Sequence, residues 1–187
     1  MDMIDLLEKI NDRYWSRFLK EDAQPMNLKY FSLLVGLPAV GKSTWVNANY
    51  LDSYVVLSSD AIIEELSAQK GITYDQGFTQ FVDIAQKKFF DNVKTALAEG
   101  RNVMIDRTNL TVKSRKRLLD MVPADYKKVA VVFDCSPEEQ ARRLASRPGK
   151  SIPAHVIKNM RDTYQEPTED EGFSSITKIN TNTVEEE

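Results

Sequence analysis

Gly36-Leu37-Pro38-Ala39-Val40-Gly41-Lys42-Ser43, with Thr44 behind it, fits G-x-x-x-x-G-K-[ST], the phosphate-binding P-loop. Such a loop turns tightly, so that successive backbone N–H groups, those of Ala39 and Val40 among them, line a nest for phosphate oxygens. Lys42 is placed to reach the β- and γ-phosphates, and the Ser43 hydroxyl to ligate Mg²⁺. A helix starting near Gly41 adds the positive end of its dipole. The apolar run Tyr30-Phe31-Ser32-Leu33-Leu34-Val35 precedes the loop and a helix-compatible segment follows. Strand, loop and helix in that order are the setting this motif requires. The sequence therefore predicts a site for a nucleoside triphosphate with Mg²⁺.

Working outward, the chain has 187 residues, 42% hydrophobic and 28% charged, which suits one domain with a sheet covered on both faces. No apolar run approaches the ~20 residues that span a bilayer, and the N-terminus lacks a signal-peptide pattern. The single Cys135 permits no internal disulfide, which fits a cytoplasmic location. It closes the run Val129–Asp134 and reads as a small buried hydrophobe. The lone His155 has no ligand partners at metal-site spacing. Net charge is −3, yet residues 107–150 carry 11 Lys/Arg against 5 Asp/Glu, while residues 151–187 carry 3 against 8. A basic centre with an acidic tail points to a local anion site, although some of these charges serve only as a solvated helix face.

Residues 1–27 read as an N-terminal amphipathic helix, with Ile4, Leu7, Ile10, Tyr14 and Phe18 at helical spacing on a face expected to pack on the core or on a partner chain. Residues 28–187 read as the P-loop domain. Strands are expected at 29–35, 54–57, 102–106, 129–133 and 175–179. Helices are expected to about residue 50, at 60–69, 77–99, 111–122 and 138–147, and from Pro153 to Tyr164. A loop is expected at 71–76 and a break at Pro148-Gly149. Strands alternating with helices predict a doubly wound parallel sheet of P-loop kinase type.

A P-loop alone does not distinguish a kinase from an ATPase or an inert nucleotide binder. Asp60 follows the second strand and is a candidate base for a hydroxyl acceptor, or else a helix N-cap. Asp106 closes the third strand, as a Walker-B acid does, and is a candidate Mg²⁺ partner. Arg107, Thr108 and Asn109 follow at the same sheet edge, or simply start the next helix. Arg143 and Arg147, four apart, are expected on one helix face as a lid over the γ-phosphoryl, against the alternative of a solvated basic helix. No Asn-Lys-x-Asp element for guanine is present.

Together Gly36–Thr44, Ser59-Asp60, Asp106-Arg107-Thr108-Asn109 and Arg143…Arg147 resemble the kinase domain of 5′-polynucleotide kinases. Ile152-Pro153 through Tyr164, Glu166-Pro167-Thr168 and Glu171-Gly172-Phe173 are similar to the C-terminal end of eukaryotic members. The resemblance covers about residues 30–180. It implies transfer of the ATP γ-phosphate to a 5′-hydroxyl of DNA or RNA in nucleic-acid repair. Lys42 and Ser43 would then hold phosphate and metal, with Asp60 as general base. Arg143 and Arg147 would form the lid, with Arg107 and Thr108 near the acceptor. Two departures stand out. Ile63 replaces an arginine that phage-type members use on the acceptor's 3′-phosphate, and the chain lacks an Asp-x-Asp-x-Thr phosphatase signature, as a kinase-only version would. Other readings stay open: a P-loop kinase for a metabolite, a nucleoside or a tRNA-linked acceptor, or a non-catalytic nucleotide-dependent RNA-binding module.

Overall fold

Val129-Ala130-Val131-Val132-Phe133 offers solvent no polar side chain, and the structure covers both of its faces. The computed structural model describes residues 28–49, 53–147 and 149–182. The expected N-terminal amphipathic helix, Pro148 and Glu185–Glu187 lie outside the described residues. Five strands, β1 (Lys29–Val35), β2 (Tyr54–Leu57), β3 (Asn102–Asp106), β4 (Tyr126–Asp134) and β5 (Ser175–Asn180), form one sheet in the order β2-β3-β1-β4-β5. Every neighbouring pair is parallel. Helices α1 (Lys42–Ala48), α2 (Ser59–Lys70), α3 (Tyr74–Ala98), α4 (Val112–Leu119), α5 (Pro137–Ala145) and α6 (Ala154–Asp162) connect and cover the strands. This is the α/β architecture that the alternating pattern predicts. None of the described helices is long and apolar enough to cross a membrane.

Side chains alternate across a strand, so a strand buried on both faces must feed two cores. On β1, Phe31, Leu33 and Val35 join Ile62, Phe89 and Leu118 on one face. Leu34 joins Trp45 and Val46 on the other, with Val129, Val131 and Phe133 of β4. Trp45 meets Phe133 edge to face at 5.6 Å between ring centroids. The long α3 carries Phe81, Ala85, Phe89, Val93 and Ala96 as its buried stripe. Truncating Phe89, wholly buried, would cost about 3–5 kcal/mol.

Among the helix boundaries that differ from the sequence reading, two affect the site. Gly71 takes a left-handed conformation (φ 66°) and closes α2, with Ile72 N–H donating back to Ser67 O at 3.1 Å. Thr73 then caps α3, with Gln76 bonding back in a capping box, so the helix begins at Tyr74 and not at residue 77. Gly77 lies against Ser67, where an added Cβ would come within 1.7 Å of the Ser67 hydroxyl. That close approach folds α2 and α3 into a hairpin and brings Tyr74 back beside the start of α2. Helix α5 ends at Ala145 with Ser146 as its C-cap. Arg147 lies beyond the helix, so Arg143 and Arg147 do not share one helical face.

The basic segment at 111–122 is also corrected. Arg115 is wholly buried: its guanidinium pairs with both Glu171 oxygens at 2.7 Å and donates to the Asn109 and Gln165 carbonyls at 3.0 and 2.8 Å. It ties the 165–171 segment to the loop after β3. Lys116 pairs with Asp120 on the exposed side of α4.

Candidate active site

The carboxyl ends of β1, β2 and β3 converge at one sheet edge, the position where open α/β sheets bind ligands. The P-loop leaves β1 at Gly36 (φ 152°), where an added Cβ would lie 2.6 Å from Phe133 O. Gly36 N–H donates to Thr108 O at 3.0 Å, which joins the loop to the turn after β3. Asn109 (φ 47°) is buried in that turn and donates its amide to Leu34 O at 2.8 Å. Its role is to hold two strand ends together. Ala39 (φ 63°) and Gly41 (φ 93°) give the loop its concave turn.

Lys42 is 7% exposed and donates to the carbonyls of Gly36 and Leu37 at 2.8 and 2.7 Å. Burial lowers its pKa to about 8, against the pull of Asp106 and Asp60. Ser43 Oγ donates to Asp106 Oδ2 at 2.7 Å, which places a hydroxyl and a carboxylate side by side. These are the hard oxygen donors that Mg²⁺ accepts, and Mg²⁺ usually keeps several waters and takes few protein ligands. No group of three or more His, Cys, Asp and Glu forms a metal cluster among the described residues. The residues present therefore fit a magnesium ion bound jointly by Ser43, Asp106 and substrate phosphates.

Asp60 lies exposed in the first turn of α2, and Ser58 occupies the N-cap, its side chain accepting from Ala61 N–H. The carboxylate is thus not committed to capping. Its field reaches Lys42, Arg107, Lys150 and Tyr74, and Tyr74 is also within hydrogen-bonding reach of it. Arg107 donates to Gln86 Oε1 at 3.1 Å and lies over the Phe89 ring at 4.7 Å, and burial lowers its pKa. Ile63 is packed in the core at 2% exposure and does not face the site.

The field of Arg147 reaches Lys42 and opposes its charge. Arg143 is held elsewhere: Nε on Glu139 at 2.6 Å, Nη1 on Thr181 Oγ1 at 3.0 Å, and Nη2 on the Thr181 carbonyl. Thr181 Oγ1 in turn donates to Val40 O at 2.8 Å. Of the two arginines, Arg143 braces the P-loop through Thr181, while Arg147 is the one whose field reaches Lys42.

A family model described as AAA domain matches residues 32–167. The chain belongs to this AAA domain family. A bifunctional polynucleotide phosphatase/kinase of Schizosaccharomyces pombe is 26% identical over 152 residues, 79% of this chain and 32% of that protein. An L-seryl-tRNA(Sec) kinase of Methanococcus maripaludis is 25% identical over 142 residues, 72% of this chain and 52% of that protein. The chain thus spans about a third and about half of these two relatives. A chain of the Pnkp1/Rnl/Hen1 RNA repair complex superposes with a TM-score of 0.58 at 21% identity, covering 76% of this chain and 46% of that one. The fold of this AAA domain chain is of the P-loop kinase type.

Sequence reasoning missed Gln140 and Thr181. Gln140 is buried, donates to Pro38 O at 2.9 Å and accepts from Arg161 at 2.7 Å, so it links the P-loop to α6. Neither residue belongs to a motif, and only the meeting of distant segments reveals them.

Proposed function

We propose that this chain is an ATP-dependent 5′-hydroxyl polynucleotide kinase acting on DNA or RNA ends. The observation that carries the reading is the position of Asp60: exposed, uncommitted to capping, and close enough for its field to reach Lys42. An inert nucleotide binder has no need of an exposed carboxylate there. The combination of site residues and the similarity to a polynucleotide phosphatase/kinase support the nucleic-acid acceptor.

The P-loop amides and Lys42 bind the ATP phosphates, and Ser43 with Asp106 would hold Mg²⁺, which would supply positive charge against the phosphates. Asp60 aligns the acceptor hydroxyl and takes its proton as the oxygen–phosphorus bond forms. The bond from the γ-phosphorus to its bridging oxygen breaks, and ADP leaves with that electron pair. Arg147 offsets charge on the transferring phosphoryl. Arg143 acts through the loop it braces, and Arg107 and Thr108 border the acceptor.

A second reading, a kinase of a tRNA-linked hydroxyl, is supported by the similarity to L-seryl-tRNA(Sec) kinase. Label transfer from γ-labelled ATP to 5′-hydroxyl oligonucleotides, seryl-tRNA, nucleosides and sugars separates the two. Labelled oligonucleotide ends support the first reading. Label only on seryl-tRNA or a small molecule rejects it.

A further inference from the structure

The acceptor side of Asp60 holds more positive charge than the nucleotide accounts for. Lys42 belongs to the P-loop, and the field of Arg147 reaches it. Two other cations share the Asp60 field, Arg107 and Lys150. Arg107 is fixed by Gln86 and the Phe89 ring. Lys150 arrives on the segment after α5, which is pinned where Ser151 N–H meets both carboxylate oxygens of Asp75 at 3.3 Å. Its ammonium lies 4.5 Å from the centroid of the Tyr74 ring and pairs with Glu64. Asp60 and Glu64 are four apart on α2 and share one face. Lys150 therefore stands one helical turn from the candidate base, at a level where α2 itself turns Ile63 into the core.

Resting on the polynucleotide kinase reading, we propose that Lys150 binds the first phosphodiester of the acceptor strand, the phosphate 3′ to the sugar whose hydroxyl is phosphorylated. Glu64 holds the lysine in the absence of acceptor. Its side chain is 48% exposed, so exchange for a phosphate oxygen strands no buried charge. Lys150 is 21% exposed, sheltered enough for a phosphate contact to outlast solvent screening. An adjacent ring distinguishes a nucleotide from a bare anion. Phe78 is 46% exposed and 6.1 Å from Tyr74, and its open face suits a base stacking beside the phosphate.

The test compares 5′-hydroxyl dinucleotides joined by a natural phosphodiester or by an uncharged methylphosphonate. A hydrogen bond to a charged group predicts that the wild type favours the charged linkage by about ten- to a hundredfold in kcat/KM. Lys150→Met should bring that ratio close to one, mainly through KM, and Lys150→Arg should restore most of it. Glu64→Gln, which removes the competing carboxylate, should lower KM for the charged acceptor. Phe78→Ser should weaken both acceptors alike and leave the ratio as it was. If Lys150→Met transfers label with the wild-type ratio, the inference is overturned while the kinase reading stands. If the wild type labels neither dinucleotide nor longer ends, the kinase reading falls and the inference with it.

Discussion

Arg143 donates through both terminal nitrogens to Thr181, one to its hydroxyl at 3.0 Å and one to its carbonyl. Because Thr181 also holds Val40 O, the arginine stabilises the P-loop through an intermediary. Thr181→Val keeps the shape and removes the hydroxyl relay. It should raise Kd for ATP several-fold and change kcat less. Titration calorimetry checks the affinity, and an effect confined to kcat would place Arg143 on the phosphoryl group.

Glu139 secures the same arginine, and the bonds from Arg142 and Arg143 hold its carboxyl down to about pH 2. A depressed carboxyl pKa stabilises the fold above the unfolded value, near 4.5, and that contribution is lost as pH falls toward 2. Glu139→Gln should therefore flatten the pH dependence of urea unfolding between about pH 4.5 and 2 relative to wild type. Equal slopes for the two proteins in that window would mean the pairing is not formed in solution.

Arg115→Met leaves Glu171 buried without its partner. Breaking a buried pair from one side costs about 3–5 kcal/mol, so the urea midpoint should fall sharply. Adding Glu171→Gln should recover part of that loss. By contrast, Lys113→Ala or Lys116→Ala should leave the midpoint near wild type, because both residues are exposed.

The contrast between Arg115 and Lys116 shows where sequence reading stops. Helical spacing places both on one short basic helix, but whether a guanidinium faces solvent or a distant glutamate depends on the chain 56 residues later. The strands were legible because β1, β3 and β4 are apolar on both faces, as a parallel sheet demands. The P-loop was legible because its chemistry lies in contiguous residues. Asp60 and Asp106 were legible as acids at strand ends. Arg143 misled, since spacing of four implies a shared face only while the helix lasts, and α5 ends at Ala145. Lys150 lay hidden because nothing local in Gly149-Lys150-Ser151 signals that it lies over Tyr74.

Asp60→Asn keeps shape and removes the base. Transfer should fall about 10²–10⁴-fold, the range for a general base, while ATP binding stays within a few-fold of wild type. Single-turnover transfer beside equilibrium nucleotide binding reads both. A parallel loss of the two would assign Asp60 to the nucleotide.

In the proposed reaction the accepted hydroxyl belongs to a nucleic-acid end. The direct measurement is kcat/KM for γ-phosphoryl transfer to a nucleoside, a nucleoside 3′-monophosphate, a dinucleotide and a hexanucleotide at two salt concentrations. The expected result is a rise from the nucleoside, which has no 3′-phosphate and should be used worst, to the hexanucleotide, with binding that weakens with salt by about −0.7 in log–log slope per phosphate contact on a single strand. Equal rates for all four acceptors, insensitive to salt, would contradict it and assign the chain to a small-molecule acceptor.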